Sequence, residues 1–142
     1  ARSAGIPVIH IQHSGGPGSP YDIDGEIGAI VDAVAPRGDE PVVVKQFPNS
    51  FVQTDLDQRL KAANASNLLL AGFMTHMCVN STARGAFSLG YAPTVVAAAT
   101  ATRALPGPDG QAVSAAALQA ASLAALAELF AVVVPDGTGI PD

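Results

Sequence analysis

The sequence is poor in cysteine, in basic residues and in long apolar runs, and each shortage excludes a class of protein. One cysteine among 142 residues cannot form an internal disulfide, and no CxxC or Cys/His spacing indicates a structural zinc site, which favours the reducing cytoplasm. Seven Lys and Arg, with a net charge of −5, leave no basic stripe for nucleic acid. The apolar runs are shorter than the roughly 20 residues of a membrane-spanning helix. A small molecule is therefore the expected partner, and neither nucleic acid nor a membrane is expected to bind.

The remaining composition is that of one compact domain over residues 1–142. Strands that are apolar throughout alternate with helices, which predicts an α/β fold with a mostly parallel, Rossmann-like sheet covered by helices on both faces, in three layers. No G-x-G-x-x-G follows a strand, so a cofactor-binding doubly wound domain is disfavoured and no cofactor is expected.

The spacing of apolar residues and the positions of turn-forming residues predict the helices and strands. The predicted strands are 7–13, 41–47, 67–73, 93–101 and 131–135, and the predicted helices are 25–34, 51–66, 79–91 and 113–130. The Gly/Pro-rich stretches 14–20 and 103–111 are predicted loops. The opening residues ARSAG have the pattern of the end of a helix, with Gly5 suited to the left-handed position, so we expect upstream sequence that includes a first strand.

Cys78 is the residue on which the functional interpretation depends. It lies just beyond the predicted strand 67–73, at the edge where open α/β sheets bind ligands. The first turn of a helix favours a thiolate and offers N–H groups to an oxyanion. However, a lone cysteine is often a small core residue, and by position alone the nucleophile and the core residue are about equally expected.

Lys45, His13 and Phe47 are the other candidates, each at or near the end of a predicted strand. Lys45 could stabilise a thiolate, or it could extend from a buried strand into solvent. His13 and Phe47 are candidates to line a substrate pocket, although a histidine at the start of a loop can equally face solvent. His76 is close to Cys78 in sequence, but residues two apart around a tight turn point in different directions, which favours a structural or pocket-wall role.

Two stretches carry a family resemblance. VVVKQFPNSF, followed 33 positions after Lys45 by the cysteine of LLLAGFMTHMCVNSTARGAFSLGY, resembles the isochorismatase-like cysteine hydrolase superfamily, which includes nicotinamidases and related amidohydrolases. AGIPVIHIQHS and PTVVAAATATR resemble its flanking strands, so the likeness spans almost the whole chain.

The resemblance implies roles for individual residues. Cys78 matches the family nucleophile and Lys45 the lysine of an Asp-Lys-Cys triad. The family's non-proline cis peptide falls on Phe73 and Met74, and the backbone N–H groups of Met74 and Cys78 would form the oxyanion hole. The triad aspartate belongs to the family's first strand, which is expected upstream of Ala1. The sequence HSG at 13–15 replaces the Asp-x-His of metal-binding nicotinamidases, so no metal is expected.

The resulting hypothesis is a cysteine hydrolase that cleaves a C–N bond of a small amide through a thioester. The family usually forms dimers or larger assemblies, so a homo-oligomer is expected. The alternative is a catalytically inert relative that binds a small molecule or a protein partner through the same pocket.

Overall fold

The computed structural model describes residues 1–140, and the chain divides into two compact units, Ala1–Asp57 and Gln58–Asp142. The predicted α/β class with parallel strands is confirmed. Within residues 1–140, none of the helices is long and apolar enough to span a membrane. The strands are β1 His10–His13, β2 Val42–Lys45, β3 Asn67–Phe73, β4 Ala92–Ala101, β5 Leu105–Pro106, β6 Ala112–Val113 and β7 Val132–Val134, and the α-helices are α1 Leu56–Ala62, α2 Asn80–Ser88 and α3 Ala115–Ala127.

The first unit is built on the parallel pair β1 and β2, whose register places His13 opposite Lys45. Along β2 exposed and buried side chains alternate, and Val43 and Lys45 are both 3% exposed. Alternate residues of a strand share a face, so the Lys45 side chain lies on the same buried face as Val43. The interpretation of Lys45 as a residue that extends into solvent is therefore wrong.

The predicted helix 25–34 is wrong, because this segment forms turns and only one short 3₁₀ turn, Asp32–Val34. Two contacts explain the difference. The carbonyl oxygen of Gly28 accepts a hydrogen bond from Gln12 Nε2 at 2.8 Å. A Cβ at Gly28 would also lie 2.0 Å from the Asp22 carbonyl oxygen, so the backbone approaches more closely than any other residue permits. Ile27, on the expected apolar face, is 82% exposed.

The second unit holds a three-stranded parallel sheet in the order β3-β4-β7. Its core is formed by residues from the sheet, the helices and the turn before α2: Val79, Ala83, Val95 and Leu126, with Leu70, Leu123, Phe130, Ala131 and Val133 packed against them. β3 has the predicted bounds. Gly90 ends the α2 region with a φ of 89°, as its position predicts.

The pairing of β3 with β4 contains a register shift. Leu70 pairs with Val95, whereas Gly72 pairs with Thr100 and Phe73 with Ala101, so β4 has extra residues between the two regular parts of the ladder. Gly72 has a φ of 115°, a conformation that favours glycine. Such bulges change which residues lie together at a strand end. Here the shift places the residues after Ala101 beside the residues after Phe73.

Several predicted boundaries need correction, and β1 and β2 are shorter than the predicted strands 7–13 and 41–47. α1 is shorter than the predicted helix 51–66. The predicted loop 103–111 contains β5, which pairs with β6 in a small antiparallel hairpin. Gly107 and Gly110 close its turn through a backbone hydrogen bond of 3.0 Å. α3 begins after Ser114, whose hydroxyl accepts a hydrogen bond from Ala117 N at 3.2 Å, so an N-cap sets its start inside the predicted range 113–130.

Leu126→Ala tests the core of the second unit. Leu126 is 0% exposed, so truncation should lower the free energy of unfolding by about 2–5 kcal/mol. Leu129→Ala is the matched control, since Leu129 is 61% exposed and should change that free energy by less than about 0.5 kcal/mol. Urea unfolding followed by circular dichroism measures both, and equal losses would contradict this description of the core.

Candidate active site

Cys78 lies in a π-helical turn, Thr75–Val79, between the end of β3 and α2. The carbonyl oxygen of Met74 accepts hydrogen bonds from Met77 N at 3.0 Å and from Val79 N at 3.3 Å. The second bond spans five residues, one more than in an α-helix, which widens the turn. Cys78 therefore lies in the first turn of the helical segment that follows β3, and this turn is π-helical, with α2 beginning directly after it at Asn80.

The turn is anchored on both sides of Cys78, while Cys78 itself is half-buried. Thr75 is 0% exposed, and Val79 is 7% exposed within the core cluster. Cys78 is absent from the buried core cluster, so the structure favours a thiol that keeps some access to solvent. π turns of this kind occur often at functional sites.

Phe73 and Met74 join β3 to this turn through a cis peptide bond. Phe73 is 73% exposed, and Met74 has the extended backbone of an N-cap, with φ −95° and ψ 142°. Met74 and Cys78, the two residues expected to provide oxyanion N–H groups, thus lie before and within the same turn. Their role in binding an oxyanion stays a prediction.

A polar cluster beside the turn was not foreseen from the sequence. His76 Nδ1 hydrogen-bonds Thr102 Oγ1 directly after β4, and Gln119 Nε2 of α3 donates to Thr100 Oγ1 at 2.9 Å. Thr100 lies near the end of β4, and Thr102 follows the last residue of that strand, Ala101. The available sequence signal was this pair of threonines closing the apolar run PTVVAAATATR.

In the first unit, the structure brings together Lys45, His13 and Phe47. Lys45 Nζ lies 3.2 Å from His13 Nδ1 and donates to the Phe47 carbonyl oxygen at 3.0 Å. Phe47 therefore contacts Lys45 through its backbone carbonyl group. Phe47 itself is 41% exposed. A buried ammonium needs such acceptors, because an unpaired buried charge is costly.

The contact with Lys45 fixes the state of His13. An ammonium has only donors, so Nδ1 must accept and the ring must be neutral with its proton on Nε2. Partial burial, and then the positive charge of Lys45, hold the pKa of His13 below its ordinary value of 6.5. The ring also meets Tyr21 edge to face, with centroids 5.3 Å apart.

Acidic side chains of the described residues lie in loops and at a helix start. Asp22 accepts hydrogen bonds from Gly18 N and Asp24 N within its own loop, and Asp57 lies in the first turn of α1. Within residues 1–140 there is no group of three or more His, Cys, Asp or Glu side chains placed to hold a metal ion. The absence of a bound metal stays a prediction.

Comparison with known proteins gives consistent matches. The family model of the isochorismatase domain matches residues 1–135. The secreted isochorismatase effector Isc1 of Verticillium dahliae is 34% identical, over 94% of this chain and 68% of its own length. The ureidoacrylate amidohydrolase RutB of Pseudomonas syringae is 33% identical over 70% of this chain, and the match spans 53% of RutB, about half of its length.

Solved structures match as well. The crystal structure of an isochorismatase from Pseudomonas putida KT2440 superposes with a TM-score of 0.93 at 36% sequence identity. The match covers 99% of this chain and 72% of that protein. Nearly all of the present chain therefore has a counterpart in that fold.

The tautomer and titration of His13 can be measured by NMR of the ring nitrogens. We expect the Nε2–H tautomer and a pKa below 6.5. As pH falls, His13 is protonated in the unfolded chain before it is protonated in the folded chain. The contribution of neutral His13 to the free energy of unfolding should therefore be complete above about pH 6.5 and be lost as pH falls toward the lower pKa of the folded protein. Lys45→Met should raise the pKa of His13 only part of the way back to its ordinary value, since burial is the larger cause of the lowered pKa. A pKa at or above 6.5 would refute the contact.

Proposed function

The chain belongs to the isochorismatase family, and we propose that it is a cysteine hydrolase that cleaves the C–N bond of a small amide. The observation that carries this proposal is the position of Cys78. It is the chain's one cysteine, it follows a parallel strand at the ligand-binding edge, and it is half-buried in a turn whose neighbours are anchored.

The proposed reaction proceeds in two steps. The Cys78 thiolate attacks the amide carbon, a C–S bond forms, and the oxyanion is held by the backbone N–H groups of Met74 and Cys78. The C–N bond then breaks, and the amine leaves with the proton that the thiol gave up. Water hydrolyses the thioester to an acid and returns the thiol. The family resemblance assigns the proton transfers to an aspartate.

Lys45 is proposed as the lysine of the same triad. Its charge is held within the first unit by the Phe47 carbonyl oxygen and by the neutral ring of His13. A cation in a catalytic triad stabilises the thiolate relative to the thiol. His13 and Phe47 are proposed to form part of the substrate site, as the sequence suggested.

The substrate is proposed only as a class. The name of RutB describes hydrolysis of ureidoacrylate, a small molecule with amide-type C–N bonds, and this chemistry fits the small-amide proposal. A homo-oligomer and a cytoplasmic location are also part of the proposal. Isc1 is named as a secreted protein, so location has to be measured by fractionation rather than taken from the family.

Cys78→Ser and Cys78→Ala test the reaction. A panel of small amides and ureido compounds should show amine release by the wild-type protein, and both variants should be slower by at least about 10³-fold, because removing a nucleophile disables the whole catalytic unit. Rapid quenching followed by intact-mass measurement should show an acyl adduct on the wild-type chain alone. Lys45→Met should retain the fold and lower the rate.

Labelling of Cys78 by iodoacetamide separates the active from the inert family member. A nucleophile poised for reaction should label rapidly at a pH where a free thiol is mostly protonated. Labelling no faster than that of free cysteine, together with no amine release from any compound in the panel, would reject the hydrolase and favour a binding protein.

A further inference from the structure

His76 occupies the same π turn as Cys78 but does not face the same way. Side chains two positions apart on a helical turn do not face each other, so His76 is poorly placed to take a proton from the Cys78 sulfur. Its Nδ1 is engaged by Thr102 Oγ1, and its Nε2 is buried with no hydrogen-bond partner among residues 1–140. The ring therefore points into the protein.

The hydrogen bond between His76 and Thr102 links two segments that are far apart in sequence. The register shift between β3 and β4 pairs Phe73 with Ala101, which brings Thr102 beside the start of the turn. His76 is thus tied to the neighbouring strand, in addition to the burial of Thr75 and Val79 in the second unit.

We propose that His76 is a positioning residue, which holds the turn through Thr102 and thereby sets the reactivity of the Cys78 thiol. The hydrogen bond from His76 ties the π turn to a segment outside it, so this side chain can help to fix the geometry of the turn. The relevance to hydrolysis rests on the proposed function, whereas thiol reactivity can be measured without any substrate.

The chain offers a matched control two residues before Thr102. Thr100 also uses its hydroxyl in the cluster, where it accepts from Gln119 Nε2 and donates to the Ala97 carbonyl oxygen at 2.9 Å. It makes no hydrogen bond to the turn among those described. Thr100→Val and Thr102→Val thus remove the same hydroxyl group at two positions only two residues apart, but only the second change releases His76.

The experiment measures the rate constant of iodoacetamide labelling of Cys78 between pH 6 and 9, on protein that contains residues 1–142, and mass spectrometry of the peptides assigns the label to Cys78. Thr102→Val and His76→Ala should each lower the rate constant below pH 7 by about 3- to 10-fold, the value of one hydrogen bond. His76→Asn places an amide near the position of Nδ1 and should recover most of the rate. Thr100→Val should label like the wild type.

The double variant His76→Ala with Thr102→Val decides whether the two residues act together. A loss no greater than that of either single variant supports the proposal, because the two changes then remove one shared contact. Losses that multiply, a rate constant that stays the same or rises in Thr102→Val, or an equal loss in Thr100→Val would overturn it. If no amide is hydrolysed but the labelling pattern holds, the proposed function fails and the positioning role stands.

Discussion

The carbonyl oxygen of Met74 accepts two backbone hydrogen bonds, from Met77 N and Val79 N, and the geometry around Cys78 depends on this double contact. The longer bond makes the turn wider than an α-helical turn, and Cys78 lies between the two donors. Since Val79 belongs to the core while Cys78 stays half-buried, the backbone is held without enclosing the sulfur. A reactive thiol needs this combination of fixed position and access.

The parallel pairing of β3 with β4 provides the second constraint. Without the register shift after Leu70, other residues of β4 would lie opposite Phe73, and Thr102 would extend further along the strand direction. Gly72 makes the shift possible by adopting a positive φ at the same place. The position of a polar anchor beside the turn therefore follows from an irregularity in the sheet rather than from the local sequence of the turn.

This dependence explains how far the sequence could be interpreted. β3 was predicted with its bounds because a continuous apolar run, ended by the turn sequence, is a local signal. The helix expected at 25–34 was wrong because the contact of Gly28 with Gln12 comes from a distant segment that outweighs a weak helical pattern. Thr102 was not singled out for the same reason: its partner His76 lies 26 residues earlier, and only the strand register brings them together.

A similar arrangement occurs at the ends of two of the parallel pairs, β1 with β2 and β3 with β4. In the first unit the register of β1 with β2 sets His13 opposite Lys45, and in the second unit the ends of β3 and β4 bring His76 to Thr102. Each histidine uses Nδ1 toward the neighbouring segment, so each ring is oriented by a partner that only parallel pairing supplies. Parallel strands end at one edge of their sheet, so the polar residues that follow them lie close together, and there hydrogen bonds between neighbouring segments can hold a buried ammonium or a wide turn. The histidines are best understood as supports for Lys45 and for the turn of Cys78, because the atoms they offer are already directed at those elements.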